Sequence, residues 1–117
     1  MSSARKYVLE DHTPVPCDDL FKWAKWYETH ERQVASQVAS DEVVISVASH
    51  TLPREDYLVR VSTVFLALNH NLSGDGPPLL FETMVFGGEY DQEEERYGTW
   101  EEAKAGHARW LAKVKRT

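Results

Sequence analysis

The stretch Val61-Ser-Thr-Val-Phe-Leu-Ala-Leu-Asn-His70 constrains this chain more than any other. It is rich in β-branched and aromatic residues, and both of its alternating faces are largely apolar. Val61, Phe65 and Ala67 fall on one face, and Val64, Leu66 and Leu68 on the other. A strand apolar on both sides belongs inside a sheet and is covered on both faces, whereas a strand with one wet face alternates. The pattern predicts a central strand over about 57–70, covered on both sides, with helices as the expected cover. Its polar end at Asn69-His70 meets a loop, the usual place for function on a rigid scaffold.

A second strand is expected over Leu79–Phe86, joined to the first across Ser73-Gly-Asp-Gly-Pro-Pro78, a plain turn signal. Two such strands make an antiparallel hairpin. Lys6–Glu10 reads as a short strand, and Thr13-Pro-Val-Pro16 as an extended stop, because proline biases the preceding residue away from the helical region. Arg32–Ser40 is ambiguous, Glu42–Ser49 alternates as a strand, and Thr51–Asp56 reads as a turn. Glu89–Arg96 is acidic and reads as a solvated loop.

Two helices complete the reading. Asp18 is placed to cap a helix over about 19–31, with Leu20, Trp23, Ala24 and Tyr27 at helical spacing and Asp19 at the positive end of the dipole. Phe21 and Trp26 lie off the centre of that stripe, so this helix carries aromatic surface on a second flank. Thr99-Trp-Glu-Glu102 is a capping-box pattern that opens a helix over about 99–115. Trp100, Ala103, His107, Leu111 and Val114 form its apolar stripe. Gly106 interrupts it at about 1 kcal/mol relative to alanine, which implies close packing against another backbone. The fold class is α+β: a small antiparallel sheet with a central hairpin, an aromatic N-terminal helix and a C-terminal helix packed on the sheet. At 117 residues the chain suits a single domain over 1–117, with 1–5 and 116–117 expected to be flexible.

Composition narrows the function classes. The formal charge of −6 argues against general nucleic-acid binding, which draws its affinity from phosphate contacts. It suits a protein partner with a basic surface. No apolar run approaches a membrane span, and the first residues lack a signal-peptide core. The one cysteine, Cys17, excludes an intrachain disulfide and fits a reducing cytoplasm. Asp18 and Asp19 beside it oppose thiolate formation. The five histidines show no metal-ligand spacing, so no metal and no cofactor is expected.

The candidate functional residues gather around the hairpin. Asn69, His70 and Asn71 would present donors, acceptors and a titratable ring, or would serve the turn. Glu82 is the one charge in its strand, on the face of Leu80, Met84 and Phe86. There it could act as an acid or base, or pair with Arg96 or Arg60. Arg96-Tyr97 could grip an anion and stack a ring, or pack where the last helix begins. His107 sits on an apolar stripe, as a packed histidine bonded to backbone or to Glu82, or as the partner of Glu82 in catalysis.

The Val61–His70 stretch, with Gly76-Pro-Pro-Leu-Leu-Phe-Glu-Thr-Met-Val-Phe-Gly-Gly88 and Arg96-Tyr-Gly-Thr-Trp-Glu-Glu-Ala-Lys-Ala-Gly-His107, resembles a widespread family of small phage and prophage proteins. Val15-Pro-Cys-Asp-Asp-Leu-Phe-Lys-Trp-Ala-Lys-Trp26 resembles the same family. The resemblance covers about half the chain and implies a genomic setting rather than a mechanism: a phage accessory protein in the bacterial cytoplasm. Two departures stand out. Asn69 occupies a position where Asp is common, which weakens any acid–base role there. The stretch 37–57 is longer than in typical relatives and reads as an added strand pair or a partner-binding elaboration.

Three functions follow as expectations. The first is a non-enzymatic accessory protein that binds a host or phage protein, with anti-defence inhibition as one form. The second is a binder of a small nucleotide-like signal, with Asn69, His70, Glu82, Arg96 and Tyr97 converging at one end of the hairpin. The third is a small hydrolase-like enzyme using Glu82 with His70 or His107. Phe21 and Trp26 are the candidate partner-binding aromatics, and the flank that they form is also consistent with a homodimer.

Overall fold

A computed structural model describes residues 5–39, 44–46, 59–73 and 75–114. The expected turn at Thr51–Asp56, most of the 37–57 stretch, residues 1–4 and residues 115–117 lie outside the described residues. Arg5, expected to be flexible, is tied down: its backbone oxygen accepts from Asn69 N, and its guanidinium donates to Asn69 O.

The fold is α+β. Two antiparallel sheets are described. The smaller pairs β1 (Tyr7–Glu10) with β2 (Thr13–Pro16). The larger contains β3 (Gln33–Ala39), β4 (Val44–Ser46), β5 (Val59–Phe65), β6 (Phe81–Phe86) and β7 (Glu94–Tyr97), in the order β4-β3-β5-β6-β7. The helices are α1 (Leu20–Thr29) and α2 (Trp100–Val114).

The expected hairpin stands at the centre of the large sheet. In β5 and β6, Val61 faces Val85, Thr63 faces Thr83 and Phe65 faces Phe81. Directly opposed residues share a face, so these six point the same way. Both helices meet the sheet on that face. α2 packs over it, with Ala103, Gly106, His107 and Val114 buried. α1 reaches its end through Trp26, whose ring stands edge-on to Phe65 at 5.7 Å. The expectation of helices on both sides is therefore corrected: among the described residues, no helix covers the face of Ser62, Glu82 and Met84. Arg60 and Ser62 on that face are nonetheless buried.

Four local readings change. Thr13–Pro16 is a strand, not a stop. Cys17 N donates to Lys6 O, which sets the ladder so that Pro14 and Pro16 fall on pairs that exchange no hydrogen bonds. The connecting turn has positive φ at Asp11 (50°) and His12 (67°), as a two-residue hairpin requires. The ambiguous Arg32–Ser40 stretch contributes β3, the neighbour of β5. Part of the acidic stretch 89–96 is the edge strand β7, where charged side chains suit an outer position. Finally, β5 stops at Phe65. Ala67 takes a left-handed φ of 64°, so strict alternation does not continue to His70.

The helix ends follow capping rules with one shift. Asp19, rather than Asp18, caps α1, accepting from Phe21 N and Lys22 N. Thr99 caps α2 by accepting from Glu102 N at 3.1 Å, and its hydroxyl donates to the Glu102 carboxylate.

Candidate functional site

The residues expected to converge at one end of the hairpin are divided between roles. Asn69 and Asn71 build the loop. Asn69 Oδ1 accepts from Asn71 N at 2.8 Å and Leu79 N at 3.1 Å, and Asn71 Nδ2 donates to Asp75 O and Pro77 O. His70 Nδ1 is hydrogen-bonded to Leu68 O at 2.9 Å. All three therefore serve turn geometry.

Glu82 and Arg96 are direct cross-strand partners, and Arg96 Nε donates to Glu82 Oε2 at 2.9 Å. Arg96 also lies 3.5 Å from Glu94. Tyr97 is the next residue in the strand, so its ring emerges on the opposite face, beneath α2. Glu82 and His107 are likewise separated by the sheet. His107 is not bonded to Glu82; its Nδ1 is hydrogen-bonded to the Thr63 hydroxyl at 2.8 Å. The proposed Glu82–His107 acid–base pair is not assembled, and Glu82 is engaged by Arg96 rather than by His70.

Trp26 belongs to the packing rather than to the surface. It is partly buried against Phe65 and stacks on His30. Phe21 is different: it is 85% exposed, and its neighbour Leu20 is 58% exposed. These two residues form an apolar knob at the start of α1, flanked by Asp18 and Asp19.

A polar chain that the sequence reading did not foresee runs under α2. Thr63 Oγ1 is 2.5 Å from Thr83 Oγ1. The Tyr97 hydroxyl donates its one proton to Glu95 Oε1 at 2.9 Å and lies 3.1 Å from Thr83 Oγ1, whose hydroxyl can donate to it. Glu95 Oε1 also accepts from Trp110 Nε1 and Arg109 Nη2. The chain thus connects buried His107 to the surface. Burial lowers the pKa of His107, favouring the neutral ring. Burial pushes Tyr97 up to about 12; the Thr83 hydrogen bond opposes this, and the hydrogen bond to Glu95 and its charge add to it. For Glu95, burial would raise the pKa, but the bonds from Tyr97, Trp110 and Arg109, with the Arg109 charge, bring it below the ordinary value. The one sequence signal for this chain was a threonine at matched positions of two central strands, Thr63 and Thr83.

Beside its outer end lies a second feature that was not foreseen. Lys113 Nζ stands 4.7 Å from the Tyr90 ring centroid and 4.9 Å from that of Trp110. The acidic pattern of Glu89–Arg96 places Tyr90 in a solvated loop, and nothing in its spacing points to the helix.

Among the described residues, no group of His, Cys, Asp and Glu side chains could hold a metal ion. No described helix is long and apolar enough to cross a membrane. Searches of family models, curated proteins and solved structures found nothing that matches this chain.

Proposed function

We propose that this chain is a non-enzymatic, phage-type accessory protein that binds a protein partner through the knob at the start of α1. The observation that carries the reading is the exposure of Leu20 and Phe21, two large apolar side chains at consecutive positions in the capped first turn of α1. Such residues contribute little to the fold and much to an interface core. Asp18, Asp19 and the overall charge of −6 select a partner whose apolar pocket is rimmed by basic residues. The engagement of Glu82 by Arg96, and its separation from His107, favours binding over acid–base chemistry. The phage-type resemblance gives the setting: a host protein in the bacterial cytoplasm, held in the way that an anti-defence inhibitor holds its target.

The test uses the whole chain, with a photo-crosslinking residue at position 21, in lysate of infected bacteria. The expected result is one stoichiometric crosslinked protein. Reconstituted from purified components, that complex should weaken at high salt and be lost in Phe21→Ser. A purified complex indifferent to Phe21→Ser, the absence of any stoichiometric partner, or a crosslink only to a second copy of this chain would each overturn the reading.

A further inference from the structure

Glu95, Arg109, Trp110 and Lys113 line an open pocket of about 260 Å³. Glu95 organises it. Its Oε1 receives Trp110 Nε1 at 3.1 Å and Arg109 Nη2 at 3.2 Å, which fixes the indole and one side of the guanidinium. The Tyr97 hydroxyl donates to the same oxygen at 2.9 Å. Lys113 carries its ammonium over the Tyr90 and Trp110 rings, which meet edge to face at 6.1 Å. No ion pair among the described residues involves Lys113. The lining holds one carboxylate and two cations, a local excess of positive charge on an acidic chain.

We propose that this pocket binds a small anion that carries a planar ring, with the ring against the Trp110 indole and the anionic group on Lys113 Nζ and the Arg109 donors not taken by Glu95. A guanidinium retains N–H donors after one bond to a carboxylate, and an ammonium is a mobile point charge, so together they suit a phosphate or a carboxylate. A cation entering here would meet both Arg109 and Lys113. The volume lies just below the usual range for small-molecule sites, so it admits one ring and its acid group and leaves the rest of a larger ligand in solvent. Three features oppose an anion: the net charge, the acidic residues Glu89, Asp91 and Glu93 around Tyr90, and the carbonyl end of α2, in whose last turn Lys113 stands. The exposed carboxylates are screened beyond about 8 Å at physiological salt, whereas Lys113 and Arg109 meet the anion in direct contact. The terminal position of Lys113 on the helix accounts for its charge there, but not for its place over two rings. This site is separate from the α1 knob and does not depend on the function proposed for it.

The experiment follows the Trp110 indole N–H in a ¹H–¹⁵N spectrum, assigned with Trp110→Phe. The probes are uridine 5′-monophosphate and benzoate, with uridine and inorganic phosphate as the separated halves. The expected result is a saturable shift with at least one of the two joined probes, weakened about tenfold or more in Lys113→Met and falling as salt is added. Uridine and phosphate alone should each bind at least about tenfold more weakly. A response to uridine monophosphate alone assigns the site to nucleotides, and one to benzoate alone to small aromatic carboxylates. No saturable shift with either probe, or equal affinity in Lys113→Met, would overturn the proposal. Lys113 is exposed at the end of α2, so its loss leaves the fold intact.

Discussion

Gly106 of α2 lies flat against the ring of Tyr97, so closely that a methyl group built at Gly106 would overlap Tyr97 Cζ and Oη. The contact explains a glycine in the middle of a helix: the helix needs a surface with no side chain to descend onto that ring. The ring in turn holds its hydroxyl on Thr83 and Glu95. Helix propensity alone would make Gly106→Ala stabilising by about 1 kcal/mol. The overlap with a rigid, buried ring should reverse the sign, for a net loss of about 1–3 kcal/mol. Urea denaturation of the two proteins decides it. An alanine variant as stable as the parent would mean that α2 does not sit on Tyr97 in this way.

The neutral state of His107 gives a dependence on pH. Burial lowers its pKa in the folded chain below the value of about 6.5 in the unfolded chain. Between those two values the unfolded chain binds more protons, so stability rises with pH. The contribution is fully present above about 6.5 and is lost as pH falls through the folded value. Denaturation midpoints collected from about pH 5 to pH 8 should show this slope in the parent and a shallower one in His107→Gln. Equal slopes would show that His107 titrates as it does in water.

The parts of the fold that were legible in the sequence are those in which local chemistry and burial agree. The pairing of Val61–Phe65 with Phe81–Val85 followed from two β-branched, apolar runs across a Gly-Pro loop. The cap at Thr99 followed from a four-residue pattern. The β1–β2 hairpin was hidden because Pro14 and Pro16 look like strand breakers, and become harmless only once the register puts them on pairs that exchange no hydrogen bonds, where no N–H is needed. The strand β7 was hidden by its charge, since Glu94 and Arg96 mark an edge as readily as a loop. The candidate site was less legible still. Glu82, Arg96 and Tyr97 are neighbours in the ladder, but pleating sends Tyr97 to the opposite face from the other two. The Tyr90–Trp110–Lys113 arrangement depends on how the 88–93 turn folds back on α2, which no residue pattern encodes.

The Glu82–Arg96 pair should matter little to stability. The Arg96 side chain is 37% exposed and that of Glu82 15%. Directly opposed charges on neighbouring strands contribute about 0.2–1 kcal/mol, and exposed ion pairs fall in the same range. Arg96→Met should therefore lower the unfolding free energy by less than about 1 kcal/mol, with the difference shrinking in high salt. A loss of several kcal/mol, insensitive to salt, would show instead that Glu82 is left as a buried, uncompensated charge.

Ala67 joins the large sheet to the first hairpin and to α1, and it does so in a left-handed conformation, φ 64°, that a non-glycine residue adopts at about 1–2 kcal/mol. Its carbonyl accepts from Tyr7 N at 2.8 Å and from Trp23 Nε1 at 3.2 Å, and these bonds offset the strain. The residue is fully buried, so its methyl group is part of the core. Two substitutions separate backbone from packing. Ala67→Gly relieves the strain but removes a buried methyl and adds freedom to the unfolded chain, so its stability should stay within about 1 kcal/mol of the parent. Ala67→Val adds two methyl groups to a filled site and places a β-branched residue where φ is positive, so it should lose about 3 kcal/mol or more. The Trp23 indole N–H resonance should move in the valine variant, as its bond to the Ala67 carbonyl is disturbed. Valine tolerated as well as glycine would mean that the chain passes residue 67 in an extended conformation, and that β5 continues toward His70.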